Sequence, residues 1–177
     1  MKRARIIGSL GWTLGLALIA LVAVTLHASD SADSDLCAEL ESMRLFLGAW
    51  VGAREEEPAR PWSYRSWTPI LGGYAIRDAR SVPEFDFEAG TTVFFDRAAG
   101  EVAYVDFTDN GYITRGTIVL EDGVFVQAGA QIQPDSTTRS VRSAFSFEDE
   151  NTMHERYWSL EDGEWQPGHS IIYSRQE

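Results

Sequence analysis

Cysteine is nearly missing from this chain. Cys37 is the only one in 177 residues, which excludes an intrachain disulfide. Its neighbours "SDLC" lack the small residues of a lipid-attachment site, so it reads as an idle or buried thiol. The exported domain must therefore hold together by packing. One cysteine and three histidines, His27, His154 and His169, also exclude the clustered ligand spacing of a zinc site. Lysine occurs once, as Lys2. With residues 1–28 set aside, 27 acids face 12 arginines, a formal charge of −15. Such a surface repels nucleic acid and anionic lipid. No GxSxG elbow is present, so a serine-hydrolase site has no sequence support.

What is present divides the chain in three. "MKRAR" is a basic start, and the uncharged apolar run Ile6–Ala28 follows it. That pattern is a secretory signal, or an uncleaved membrane anchor, since Ile6–Leu26 is long enough to span a bilayer. Lys2, Arg3 and Arg5 keep that end inside and send the remainder outward. The expected location is periplasmic or secreted. Residues 29–35 read as a linker, and 36–177 as the folded domain.

One helical pattern opens that domain. Leu36, Leu40, Met43 and Phe46 recur at helical spacing, Ser34 or Asp35 can cap them, and Gly48 ends the run. Everything afterwards has the grain of β structure. Segments rich in Val, Ile, Thr, Tyr, Phe and Trp predict strands near 49–54, 62–70, 74–82, 91–96, 102–107, 112–120, 124–130, 138–147, 152–160 and 170–175. "LGG", "DRAAG", "TDNG", "EDG", "EDEN" and a second "EDG" supply the turns. About ten short strands leave edges that need covering, and closure into an antiparallel up-and-down β-barrel covers them all. A two-sheet sandwich is the competing all-β arrangement. It needs a long return connection, for which only "SVPEFDFEAG" is a candidate.

Strand alternation sharpens this. One face of 152–160 carries Met153, Glu155 and Tyr157, the other His154, Arg156, Trp158 and Leu160. In 62–70, Trp62, Tyr64, Ser66 and Thr68 oppose Ser63, Arg65, Trp67 and Pro69. Neither face is purely apolar, as expected of a wet or ligand-filled interior. The plainer explanation is arginine and aromatic cover along the outer wall.

Several short motifs, in order, resemble a known family. Gly48 and Trp50 match a Gly-x-Trp first strand, and Leu71–Gly73 the turn after the second strand. Val105–Asp106 with Gly111, Tyr112 and Gly116 match a central hairpin, and Tyr173–Arg175 the last strand. Over roughly residues 40–176 the chain resembles the calycin superfamily of lipocalins and fatty-acid-binding proteins. Within it, the resemblance is to the bacterial lipocalin-like barrels grouped as domain of unknown function 1579. That resemblance implies a closed barrel with a central cavity and no particular reaction. It also implies that Trp50 lies across the barrel floor with Arg175 over its ring.

The expected function is a non-catalytic binding module for a small, largely apolar molecule, without cofactor or metal and with no partner protein inferred. A buried arginine beside a tyrosine would hold a carboxylate headgroup in such a cavity, as fatty-acid-binding relatives do. Candidates are Arg65, Arg77, Arg115, Arg142 or Arg156, with Tyr64, Tyr104 or Tyr157. Arg156 and Tyr157 cannot both face inward, being adjacent on a strand. The candidate ligand contacts are thus Tyr64, Arg65, Trp67, Arg77, Tyr104, Asp106, Arg115, Glu155 and Tyr157. Asp106 lies between apolar neighbours, where a carboxylate is costly unless paired. It reads either as a perturbed base in a pocket or as an acceptor stabilising the next turn. The alternative functions are a barrel enzyme, a cyclase, isomerase or hydrolase using Asp106 or Glu155 as acid–base, and a haem-binding barrel through His169.

Overall fold

The computed structural model describes residues 35–177. The expected leader and all but the last residue of the linker lie outside the described residues. Ten strands follow one another: β1 (Gly48–Arg54), β2 (Pro61–Ile70), β3 (Ala75–Val82), β4 (Phe87–Asp96), β5 (Glu101–Thr108), β6 (Ile113–Glu121), β7 (Val124–Ile132), β8 (Thr138–Asp149), β9 (Thr152–Glu161) and β10 (Glu164–Arg175). Each pairs antiparallel with its sequence neighbour, and β1 pairs with β10, so the sheet closes as an up-and-down barrel. The expected closed barrel is what the chain forms, and the sandwich is excluded.

Local chemistry explains the meander. Asp122–Gly123 and Asp162–Gly163 form two-residue hairpins with φ of 49° and 82°, and 51° and 83°. Positive φ at both positions is the geometry whose twist matches paired strands. "SVPEFDFEAG" is no return connection. It holds a single 3-10 turn at Pro83–Phe85, with Asp86 left-handed at φ 50°, and β4 begins at Phe87 rather than Thr91.

The N-terminal helix differs in kind from the expectation. Ala38–Phe46 is a 3-10 helix, and no side chain caps it. With three residues per turn, positions 40, 43 and 46 stack on one face. Leu40, Met43 and Phe46 are all buried on that face. They plug the barrel end where β1 starts and β10 finishes. Phe46 stands 4.9 Å from Trp67 and Phe125, 5.0 Å from Phe147 and 5.5 Å from Phe145, centroid to centroid. Tilted and edge-on rings at such distances add to the energy of burial.

Trp50 seals the same end. Its indole Nε1 donates to the Phe46 carbonyl at 2.7 Å, and the Arg175 guanidinium carbon lies 4.1 Å from its ring centroid. Arg175 also donates to the carbonyls of Leu45 (2.9 Å), Leu47 and Glu150 (2.7 Å). The last strand thus satisfies carbonyls that the end of the helix leaves open. Gly52 serves a close approach, since a Cβ there would sit 2.6 Å from Cε1 of Tyr173.

Candidate functional site

The aromatic plug fills one half of the barrel. The other half is a cavity of about 670 Å³ that reaches the loops around Phe85 and Asp109, at the opposite end. That volume suits a small organic ligand. Its floor is a buried ionic cluster. Arg65, on β2, gives Nε and Nη2 to Asp78 on β3, with contacts of 2.8–3.1 Å, and Nη1 to Glu155 Oε2 on β9 at 2.8 Å. The three side chains are 2%, 1% and 2% exposed. Tyr173 Oη donates to the same Glu155 oxygen at 3.0 Å. Rings of Trp67, Phe145 and Tyr173 surround the guanidinium at 4.9, 5.2 and 5.6 Å.

Burial alone would raise the Glu155 pKa, but Arg65 and then His169 outweigh it and hold the carboxyl well below the usual range. Glu155 is therefore a fixed anion and not a proton donor. Tyr173 is pushed above its ordinary value, first by burial and then by Glu155.

Asp106 is the opposite case. It faces the cavity from β5, accepts Thr91 Oγ1 at 2.7 Å, and has Arg80 Nη2 at 3.7 Å. Burial raises its pKa, Arg80 and Thr91 oppose the rise without cancelling it, and smaller effects of Asp78 and Arg65 run in opposite directions. The folded protein thus binds this proton more tightly than the unfolded chain. Stability is lost as pH rises through the native pKa, so at neutral pH the charge is a net cost. Asp106→Asn should raise the melting temperature by about 3 °C at pH 7, near 1 kcal/mol for a domain of this size. In a thermal melt series the gain should vanish as pH falls below the ordinary aspartate value of 3.8.

Two β-bulges shape the mouth. Between β1 and β2 the register steps from Gly52↔Ser63 to Ala53↔Pro61, leaving Trp62 as the extra residue. Between β10 and β9 it steps from Pro167↔Trp158 to Ser170↔Arg156, so Gly168 and His169 together oppose Tyr157. Bulges re-aim side chains, and both bring theirs to the cavity. His169 stacks on Tyr157 at 5.1 Å and 8°, lies 5.9 Å from Trp62, and points Nε2 at Glu155 Oε1 across 3.8 Å. Arg54 covers Trp62 at 4.7 Å, and the buried indole Nε1 has no partner among the described residues.

The sequence-derived candidates separate cleanly. Tyr104, Asp106, Glu155 and Tyr157 line the cavity. Arg65 and Trp67 are interior but lie beneath it, Arg65 in the floor and Trp67 in the plug. Tyr64, Arg77 and Arg115 are exposed on the outer wall, because their strand neighbours Ser63 and Arg65, Ile76 and Asp78, and Thr114 are the ones that face inward. They cannot touch a cavity ligand. Arg142 sits between the rings of Trp158 and Trp165 at 4.9 Å from each, as outer-wall cover, and Arg156 is exposed. The expected carboxylate clamp fails for a further reason, since Arg65 already serves two carboxylates.

Sequence reasoning missed Asp78, Arg80, Thr91 and Trp62 as parts of the site, and read His169 as belonging to a turn. Alternation with Arg65 across the β2–β3 pairing would have found Asp78. The bulges carry no signal beyond Pro61 and the Pro167–Gly168 pair. Among the described residues no group of three or more His, Cys, Asp or Glu side chains is placed to hold a metal ion.

No family model matches the chain, and no curated protein sequence does. Among solved structures, the chain is similar to the crystal structure of Rv2717c from M. tuberculosis. The two share 15% identity over 81% of this chain and 100% of that one, with a TM-score of 0.53. At that identity the likeness shows the barrel fold alone.

Proposed function

We propose that the protein is an exported, lipocalin-like barrel that binds a small amphipathic molecule in its open half. The observation that carries this is the cavity itself. One end of the barrel is packed solid by Phe46, Trp50 and their neighbours, while the other keeps about 670 Å³ free. A barrel folded only for stability would fill both halves, because an unfilled interior forfeits packing contacts. Two bulges that turn Trp62 and His169 into the mouth add aromatic surface where a ligand would enter. Tyr104, Thr114 and Gln127 supply polar contacts deeper in. The basic start and apolar run before residue 29 support export.

Native mass spectrometry of the purified protein, with solvent extraction of whatever it carries, tests the reading. A small-molecule adduct is expected in the wild type and should be absent from Ser143→Trp, which fills the cavity from its wall. A protein that is always isolated empty, and gains no adduct from cell extract, would sink it.

An acid–base role inside the same cavity has one observation in its favour, the raised pKa of Asp106. Glu155 drops out of that role because Arg65 and Tyr173 hold it as an anion. Turnover of a candidate substrate that disappears in Asp106→Asn would favour the enzyme over the carrier.

A further inference from the structure

We infer that Asp106 anchors an ammonium group, so that the ligand is a small amine with an apolar body; this rests on the binding reading above. Asp106 is only 9% exposed, yet its carboxylate is poorly served. Oδ1 takes the Thr91 hydroxyl, and Arg80 stands 3.7 Å from the same oxygen, too far for a hydrogen bond. No hydrogen bond from the described residues reaches Oδ2. A carboxylate has about four acceptor positions, and Oδ2 opens on the cavity and not on a donor of the wall. A ligand N–H group entering the cavity would supply what the wall does not.

The local charges agree. Asp78 and Glu155 close on Arg65 at 2.8 Å, with His169 Nε2 a further 3.8 Å from Glu155, whereas Asp106 has only Arg80, at 3.7 Å. Arg65 is spent on Asp78 and Glu155, and Arg139 at the rim lies 3.6 Å from Glu161. Asp106 is thus the carboxylate without a close counterion, and a bound ammonium would pair with it directly. Burial of that under-paired carboxylate is also what lifts its pKa, a cost that a bound ammonium would relieve.

Arg80 is the guanidinium beside Asp106 that could instead receive an anion. Its side chain is 20% exposed and reaches towards Phe87 at 5.9 Å, so it can turn to the rim. An anion at Arg80 would crowd Asp106 with like charge, whereas an ammonium would take over Arg80's place beside it. Tyr104, on the same face of β5, and Tyr157 across the cavity present aromatic surface, which attracts cations. The acid-rich exterior draws cations to the mouth and turns anions away.

Isothermal titration calorimetry on the full chain with three matched probes decides the matter: 2-phenylethylammonium, 2-phenylethanol and 3-phenylpropanoate. The ammonium should bind at least tenfold more tightly than the alcohol, and the carboxylate should bind worst. Asp106→Asn, which should fold at least as stably as the wild type, should bring the ammonium-to-alcohol ratio close to one. Arg80→Gln should tighten ammonium binding severalfold by removing a competitor. Tightest binding of the carboxylate, binding of the alcohol alone, or an ammonium preference that survives in Asp106→Asn would each overturn the inference. So would a co-purifying ligand that carries no amine, although that outcome leaves the carrier reading intact. No adduct and no binding of any probe would remove both.

Discussion

Arg65→Met should be among the most damaging single substitutions in the barrel, lowering stability by about 3–5 kcal/mol and the melting temperature by roughly 10–15 °C. The reason is what stays behind. Methionine fills much of the same volume among the rings of Trp67, Phe145 and Tyr173. Asp78 and Glu155 would then be two carboxylates, at 1% and 2% exposure, with their common cation gone. The loss should depend on pH in a defined sense. In the wild type, Glu155 titrates well below its ordinary range, so its contribution is fully present above the unfolded value of 4.5 and is lost as pH falls below it. In Arg65→Met the buried carboxylates gain by taking up protons, so acidification should relieve the variant. The two melting curves should therefore converge below pH 4.5. The combination Arg65→Met, Asp78→Leu, Glu155→Leu should recover most of the deficit, because a buried ion cluster is worth little over apolar side chains of similar size. If Arg65→Met melts within 3 °C of the wild type at pH 7, the floor is not the tight ionic cluster described above.

The architecture was legible because it is written in short-range chemistry. Alternation over six to ten residues, punctuated by Asp-Gly and Asn-Gly pairs, marks each strand without knowledge of its partner. Closure follows once every connection is short. The pairing of Trp50 with Arg175 came through from the family resemblance, and the register places their Cα atoms opposite each other. The helix was harder to read. Leu40, Met43 and Phe46 suit both a 3.6-residue and a 3.0-residue period over so short a run, and nothing local distinguishes the two.

The site was legible only in part, for two physical reasons. Alternation shows which residues share a face but not which face is inside. Of the two sets on β9, Met153–Glu155–Tyr157 turned out to be the inner one, and the same uncertainty sent Tyr64, Arg77 and Arg115 to the wrong side. The second reason is that a bulge inverts the pattern for everything at its position. Trp62 and His169 reach the mouth because the register slips beside them, and a slip is decided by the fit of neighbouring strands. The cluster of Arg65, Asp78 and Glu155 joins strands far apart in the chain, 90 residues in the case of Arg65 and Glu155. No local pattern encodes such a pairing.

Phe46→Ala should be the second large loss, about 3–5 kcal/mol for deleting a fully buried phenyl ring. The ring meets four aromatic side chains, so several packing faces are lost at once. The Trp50 hydrogen bond should survive, since it is made to the Phe46 backbone carbonyl. What is removed is packing alone, and the damage should be repairable by shape. A void walled by Trp67, Phe125, Phe145 and Phe147 is apolar and benzene-sized, the kind that stays dry and admits small aromatic molecules. Benzene at millimolar concentration should raise the melting temperature of Phe46→Ala by several degrees and leave the wild type unmoved. The ionic floor separates this void from the open half of the barrel. Binding of 2-phenylethylammonium at Asp106 should accordingly change less than threefold in Phe46→Ala, while stability falls steeply. A variant that lost both together would mean that plug and cavity are one continuous packing unit, and that the floor through Arg65 does not insulate them.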